Sequence, residues 1–224
     1  MDYFLDLTDL NTKRIFIVGG LYGDYDALMR LLYQQRFGWA DTLVLTGGFF
    51  NQENVKSLEL LIFLRNSVNC YSVVGKDEAN LLKDIEDPEK LNIIQKRFGS
   101  NFNEALINYI RDLPLVIKIR DYYVMHAGVD PTKRLDQQDL EVFYTIGEYD
   151  KDSRFYANSE EKSWYEVPYL IGGKHVKICF SAVYLDDIEV PAGYNLARNL
   201  EMAPIFRALI LDKTQGAPSI VTFF

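Results

Sequence analysis

Hydrophobic positions in this chain fall into short runs separated by glycine- and asparagine-containing turns. In the first half those runs alternate with stretches of helical period. Arg14–Val18 (RIFIV) is a β-branched and aromatic run that predicts a buried strand. Gly19, Gly20 and Gly23 follow it as a permissive turn, Asp24 is placed as an N-cap, and Leu28, Leu31 and Leu32 then recur at helical spacing. Asp41–Thr46 predicts a second strand, running into Gly47-Gly48 and the loop Phe49–Asn54. Val55–Asn66 predicts a helix with Leu58, Leu61, Ile62 and Leu64 on its apolar side. Asn69–Val74 predicts a third strand, ending at Gly75. Strands alternating with helices over short links imply a parallel sheet with right-handed crossovers. The carboxyl ends of such strands, at helix N-termini, are where α/β proteins place ligands.

Glu78–Asp84 starts another helix, which Ile85-Glu86-Asp87-Pro88 breaks. Lys90–Phe98 and Phe102–Asp112 read as amphipathic helices parted by Gly99-Ser100-Asn101. Leu115–Ile119 and Tyr122–Met125, joined at Arg120-Asp121, predict a hairpin, and Leu135–Ile146 a helix. Asp150–Lys162 is a polar loop. Val167–Ile171, His175–Ala182, Ile205–Leu211 and Ser219–Phe223 are late strands, and Asp186–Leu200, with Pro191 and Gly193, reads as loop. A hairpin-rich second half after a βαβ first half predicts two packed mixed sheets in one domain over residues 1–224, with residues 1–13 as a lead-in.

Composition narrows the function classes. Hydrophobic residues make up 48% and charged residues 25%, ordinary for a globular domain. A net charge of −8 argues against nucleic acid as a partner, which calls for a basic footprint, and does not favour an anionic membrane. Two cysteines, Cys70 and Cys179, make no disulfide framework and read as small core residues in a reducing, cytoplasmic setting. No apolar run approaches the ~20 residues of a membrane span, and the N-terminal MDYFLDLTDLNTKR lacks the basic and apolar regions of a signal peptide.

Four stretches, each at a predicted strand end, carry a resemblance. They are Val18-Gly19-Gly20-Leu21-Tyr22-Gly23 before the helix, Thr46-Gly47-Gly48-Phe49-Phe50-Asn51-Gln52, Val74-Gly75-Lys76-Asp77-Glu78, and Leu113-Pro114-Leu115 with His126-Ala127-Gly128-Val129-Asp130-Pro131. In this order they resemble the signatures of the calcineurin-like metallophosphoesterases, of the phosphoprotein phosphatase and diadenosine tetraphosphatase branch. The resemblance implies a four-layer α/β sandwich of two mixed sheets flanked by helices. It also implies where the chemistry should sit. Gly20 stands at a metal-binding aspartate position, Tyr22 at a metal-binding histidine, and Gly48 at the aspartate bridging two ions. Asn51 replaces a later aspartate of that signature, and Gln52 a phosphate-clamping arginine. Lys76 replaces a metal-binding asparagine, and Asp77 the histidine that protonates the leaving group. Gly147 replaces the second clamping arginine, Cys179 stands where a late strand of the family has aspartate, and no Gly-His-Thr occurs between Ser153 and Pro168 for the last ligand.

Two-ion hydrolysis needs cations held about 3.5–4 Å apart, by about six ligands in the family. Of these the chain keeps His126. A protonated lysine at position 76 has no lone pair and repels a cation. The expectation is a catalytically degenerate member of the fold with no metal cofactor, working by binding a protein partner or a small anionic or nucleotide ligand. An alternative is a phosphoester hydrolase, phosphatase-like or dinucleoside-polyphosphatase-like, with a rewired site around Asp77 and His126 and manganese or another divalent ion. A third is an inert subunit of an assembly. Asp24 and Asp26 read as helix-capping residues, and the Gly19–Gly23 turn either cradles an anion through backbone N–H groups or simply connects.

Overall fold

The computed structural model describes residues 3–145, 164–166, 168–182, 185–198 and 205–224. The elements are, in order, β1 (Phe4–Asp6), β2 (Arg14–Val18), α1 (Tyr25–Gln34), β3 (Asp41–Leu45), α2 (Ser57–Asn66), β4 (Cys70–Ser72), α3 (Lys76–Asp84), α4 (Pro88–Phe98) and α5 (Glu104–Arg111). They continue with β5 (Val116–Ile119), β6 (Tyr122–Val124), α6 (Val142–Thr145), β7 (Tyr169–Ile171), β8 (Lys174–Phe180), β9 (Glu189–Val190), β10 (Gly193–Asn195), β11 (Phe206–Asp212) and β12 (Ser219–Phe223).

These strands form the two mixed sheets that the motifs imply. One runs β12-β11-β2-β3-β4, with β2, β3 and β4 parallel and β11 antiparallel to its neighbours. The other runs β1-β5-β6-β8-β10-β9, with β7 paired to β8. Ile15, Ile17, Val44 and Leu209 of the first sheet meet Ile117, Ile119, Val124, Cys179 and Tyr194 of the second in a buried core. The opposite face of the first sheet carries Phe16, Val18, Leu43 and Leu45, packed under Leu28 and Leu31 of α1 and Leu61 and Leu64 of α2. The continuous burial of β3 on both faces is what a parallel strand between a sheet and helices requires.

Local chemistry sets the element ends. Asp24 caps α1, its carboxylate accepting from the Ala27 N–H at 2.9 Å. Pro88 opens α4 behind the Asp87 cap, so the predicted break at 85–88 is a helix start. At the amino ends of β2 and β3, Arg14 donates from Nε and Nη2 to Asp41 at 3.0 and 2.6 Å, which makes burial of the Asp41 carboxylate tolerable.

Three expectations change. The lead-in contains a strand, because β1 pairs in parallel with β5 and extends the second sheet. The loop reading of 186–200 misses β9 and β10. Gly193 there has φ +151°, and a Cβ on it would lie 2.1 Å from the Ile178 carbonyl oxygen, so glycine lets β10 close on β8. The helix over 135–146 is only a 3₁₀ turn at Leu135–Gln137 and the short α6. Ile146, Gly147 and the polar loop Asp150–Lys162 lie outside the described residues. Among the described residues, no helix is long and apolar enough to cross a membrane.

Candidate functional site

The two sheets bring their carboxyl strand ends together. β2, β3 and β4 deliver Gly19-Gly20, Gly47-Gly48 and Gly75, while β6, β8 and β10 deliver His126, Ser181 and Leu196. The seam is hydrogen-bonded. Thr46 Oγ1 donates to Ser181 Oγ at 2.6 Å, the Ser181 N–H donates to the His126 carbonyl, and His126 Nδ1 lies 3.0 Å from the Thr46 carbonyl oxygen. That last bond places the proton of a neutral imidazole on Nδ1. Burial drives the His126 pKa down to about 4, with Lys76 adding repulsion, so the ring is uncharged near neutral pH.

Around His126 the glycines are tightly nested. A Cβ on Gly48 would lie 3.1 Å from His126 Cε1, and one on Gly75 would lie 2.3 Å from the Gly48 nitrogen and 3.0 Å from His126 Nδ1. A Cβ on Gly20 would lie 3.0 Å from Cε2 of Tyr22. The phenol ring therefore stands where a side chain at position 20 would begin. Tyr22 has φ +49°, held by its N–H donating to the Gly48 carbonyl at 2.8 Å. Burial raises the Tyr22 pKa, with Asp77 next in effect.

Glu78 is the internal anion of the site. It is fully buried, and its carboxylate accepts from the N–H groups of Gly48, Phe49, Phe50 and Gly75 at 2.7–2.9 Å. These donors face inward and are satisfied by the chain itself. In the Gly19–Gly23 turn the N–H groups of Gly19, Tyr22 and Gly23 donate to the carbonyls of Arg207, Gly48 and Phe49.

The remaining residues singled out by sequence divide. Gly20, Tyr22, Gly48 and His126 come together, and Lys76 and Asp77 open α3 beside them, both half-buried. Burial raises the Asp77 pKa while Lys76 opposes it. Asp77 and His126 make no hydrogen bond to each other among the described contacts; the imidazole is engaged with Thr46 instead. Asn51 and Gln52 turn away: Asn51 Oδ1 accepts from the Glu53 N–H, and Gln52 Nε2 donates to Asp84 at 2.9 Å. Asp26 pairs with Lys56. Cys70 and Cys179 carry free thiols whose pKa burial raises, Cys70 to about 11.

One residue here gave no signal in the sequence. Arg198 leaves β10 and lays its guanidinium 4.8 Å from the Tyr22 ring centroid and 5.4 Å from that of Phe206. It belongs to no strand-end motif, and only the closure of β10 on β8 brings it here.

Comparisons with known proteins agree with this geometry at the level of fold. A crystal structure of a protein with proposed diadenosine tetraphosphatase activity superposes with a TM-score of 0.77 at 21% identity, covering 100% of this chain and 99% of that one. A metallophosphoesterase from Sphaerobacter thermophilus gives 0.54 at 14% identity, covering 95% and 87%. The "Bis(5'-nucleosyl)-tetraphosphatase, symmetrical" of Actinobacillus pleuropneumoniae serotype 5b is 29% identical over 159 residues, which are 65% of this chain and 58% of that protein. The chain spans about half the length of the curated relatives it matches. No protein-family model matches it. The fold is that of the calcineurin-like metallophosphoesterase superfamily, and the sequence is similar to members of it. Within that superfamily, the sequence similarity is to the symmetrical bis(5'-nucleosyl)-tetraphosphatases.

This corrects the expectation that the chain has no metal cofactor. Its relatives and structural neighbours are phosphoesterases of a metal-dependent class, one of them a metallophosphoesterase by name. The described residues do not by themselves supply a donor set: no group of three or more His, Cys, Asp or Glu side chains among them could hold an ion. The resemblance gave Gly20, Tyr22, Gly48 and Lys76 as the residues at ligand positions, and the stretch before Pro168 expected to carry the last ligand lies mostly outside the described residues.

Proposed function

We propose that this protein keeps the scaffold of a dinucleoside-polyphosphatase-like phosphoesterase and uses its strand-end site to bind a nucleotide-type, phosphate-bearing ligand without hydrolysing it by the two-ion route. The observation that carries this reading is the Tyr22 ring over Gly20, 3.0 Å from where a side chain at position 20 would start. A carboxylate there would have to displace a half-buried ring, and the neighbouring positions that the resemblance gives to ligands hold glycine and lysine. The names of the relatives support the ligand class.

A second reading is hydrolysis through a rewired site. Those same names support it more directly than they support an inactive protein, and one local feature favours it: Asp77, at the position of the family's leaving-group acid, has its pKa raised by burial, as a proton donor requires. Turnover of diadenosine tetraphosphate in manganese, with metal content measured by plasma mass spectrometry, separates the two. The first reading expects release at the rate of a buffer blank. Turnover that disappears in both Asp77→Asn and His126→Ala would replace it with the second.

A further inference from the structure

Among the described residues, Arg198 is a cation with aromatic company whose Nε meets no acceptor. Its guanidinium lies between the Tyr22 and Phe206 rings, and its Nε is buried without a hydrogen-bond partner. The residue as a whole stays partly open to solvent. Aromatic faces stabilise such a cation but leave its in-plane N–H donors unused. A buried donor without an acceptor costs free energy and calls for an explanation.

The position is fixed. The Leu196 carbonyl oxygen would lie 1.8 Å from a Cβ on Gly19, so only glycine at the end of β2 lets this segment cross so close. Asn195 Oδ1 accepts from the Ala197 N–H at 2.9 Å, and the Leu196 N–H donates to the Phe180 carbonyl at 2.7 Å, which stiffens the approach. On the other side, Tyr22 is pinned by Gly48. Asp77, Arg198 and Glu78 all act on the phenol electrostatically, which sets the guanidinium beside the carboxyl strand ends. Lys76 adds a second positive group at the start of α3, close enough to act on both His126 and Asp77.

We propose that Arg198 is the principal anion-binding residue of this site, its guanidinium fork taking a phosphate group of a nucleotide-type ligand. The assignment rests on the binding role proposed above and deepens it: fixed cationic side chains supply positive charge where the family's ligand positions have been replaced. Arginine suits this because its planar fork matches two phosphate oxygens at once, whereas lysine offers a point charge. Glu78 does not compete for the fork, since its two oxygens are taken by four backbone N–H groups. Asp77 is the acid that opposes an incoming anion, and Lys76 beside it offsets that charge.

The test is calorimetric titration of the full chain with ADP, inorganic pyrophosphate and adenosine. ADP and pyrophosphate should bind and adenosine should not. If ADP binds and pyrophosphate does not, the phosphate is recognised only as part of a nucleotide; the reverse result identifies a plain inorganic phosphate site. Arg198→Gln should weaken binding by about tenfold to 100-fold, the scale of losing charged hydrogen bonds. Arg198→Lys should fall between, and Lys96→Gln, an exposed charge on α4, should leave affinity unchanged. Equal affinity in Arg198→Gln and the parent, or no binding of ADP and pyrophosphate by the parent, overturns the assignment. If Arg198→Gln does not fold, the Nε–H resonance of Arg198 in the parent should move on adding pyrophosphate; an unmoved resonance is equally fatal. Turnover of diadenosine tetraphosphate would instead overturn the non-hydrolytic reading, and the affinity ratio would still report on Arg198.

Discussion

Gly48 and His126 exclude a side chain between them. A Cβ on Gly48 would lie 3.1 Å from His126 Cε1, and Gly48 itself sits at φ +64°, in the left-handed region. Gly48→Asp, which places a carboxylate at the family's bridging position, should therefore cost stability, by about 1–3 kcal/mol from backbone strain and overpacking together. It should yield no phosphoester turnover. A urea midpoint equal to the parent's, with turnover in manganese, would mean that this loop reshapes readily into an ion site.

Gly20→Asp alone should also fail to create activity, for a different reason. Its Cβ would meet Tyr22 at 3.0 Å, a side-chain neighbour rather than backbone. The obstruction is therefore removable, and the stability loss of Gly20→Asp should shrink in Gly20→Asp/Tyr22→Ala. Such non-additivity is what residues in contact show. Strictly additive melting shifts in this cycle would place the ring elsewhere.

Glu78 is the residue on which the glycine loops hang. Glu78→Ala would leave the N–H groups of Gly48, Phe49, Phe50 and Gly75 without their acceptor, at ~1–3 kcal/mol for each that stays buried and unpaired. A loss of at least about 3 kcal/mol, or failure to fold, is expected. Glu78→Gln should be costly too, because its amide NH₂ would face two backbone donors in place of one oxygen. A denaturant midpoint for Glu78→Gln within error of the parent's would contradict this hydrogen-bond pattern.

These contacts also show why the chain was only partly readable. Strand, turn and helix at 14–34 were legible because each step is local: a continuous β-branched and aromatic run, glycines, an N-cap, then a period of 3.6. The assignment of Gly20, Tyr22, Gly48 and Lys76 to ligand positions came from the resemblance of the flanking motifs; the structure brings Gly20, Tyr22 and Gly48 together beside His126. Arg198 was invisible because Tyr22 lies far away in the sequence and meets it only through sheet closure. β1 was missed because three residues give almost no periodicity, and their pairing partner β5 lies more than a hundred residues away. β9 and β10 hid behind Pro191 and Gly193, loop signals locally, although Gly193 is needed for close strand approach. The turn glycines left two readings open in the sequence, an anion cradle and a plain connection. In the structure the N–H groups of Gly19 and Gly23 donate to the Arg207 and Phe49 carbonyls.

The buried imidazole makes a prediction about pH. Burial lowers the pKa of His126 from 6.5 to about 4, so between those values the unfolded chain binds more protons than the native one. Stability from keeping this ring neutral is complete above pH 6.5 and is lost as pH falls towards 4. At ~1.36 kcal/mol per pH unit the loss comes to about 3 kcal/mol. Glu78 acts in the opposite sense: burial raises its pKa from 4.5 to about 7, so its contribution is present below pH 4.5 and declines as pH rises towards 7. Asp77, also raised by burial, shares that sign. The parent's own profile therefore mixes opposing slopes, and the informative quantity is its difference from His126→Asn, in which both carboxyls remain. Acidification from pH 6.5 to 4 should make His126→Asn gain on the parent by about 3 kcal/mol in urea-unfolding free energy. A difference that does not change with pH would show that the imidazole takes up a proton in the folded protein as easily as in water, and so is not held neutral between the strand ends.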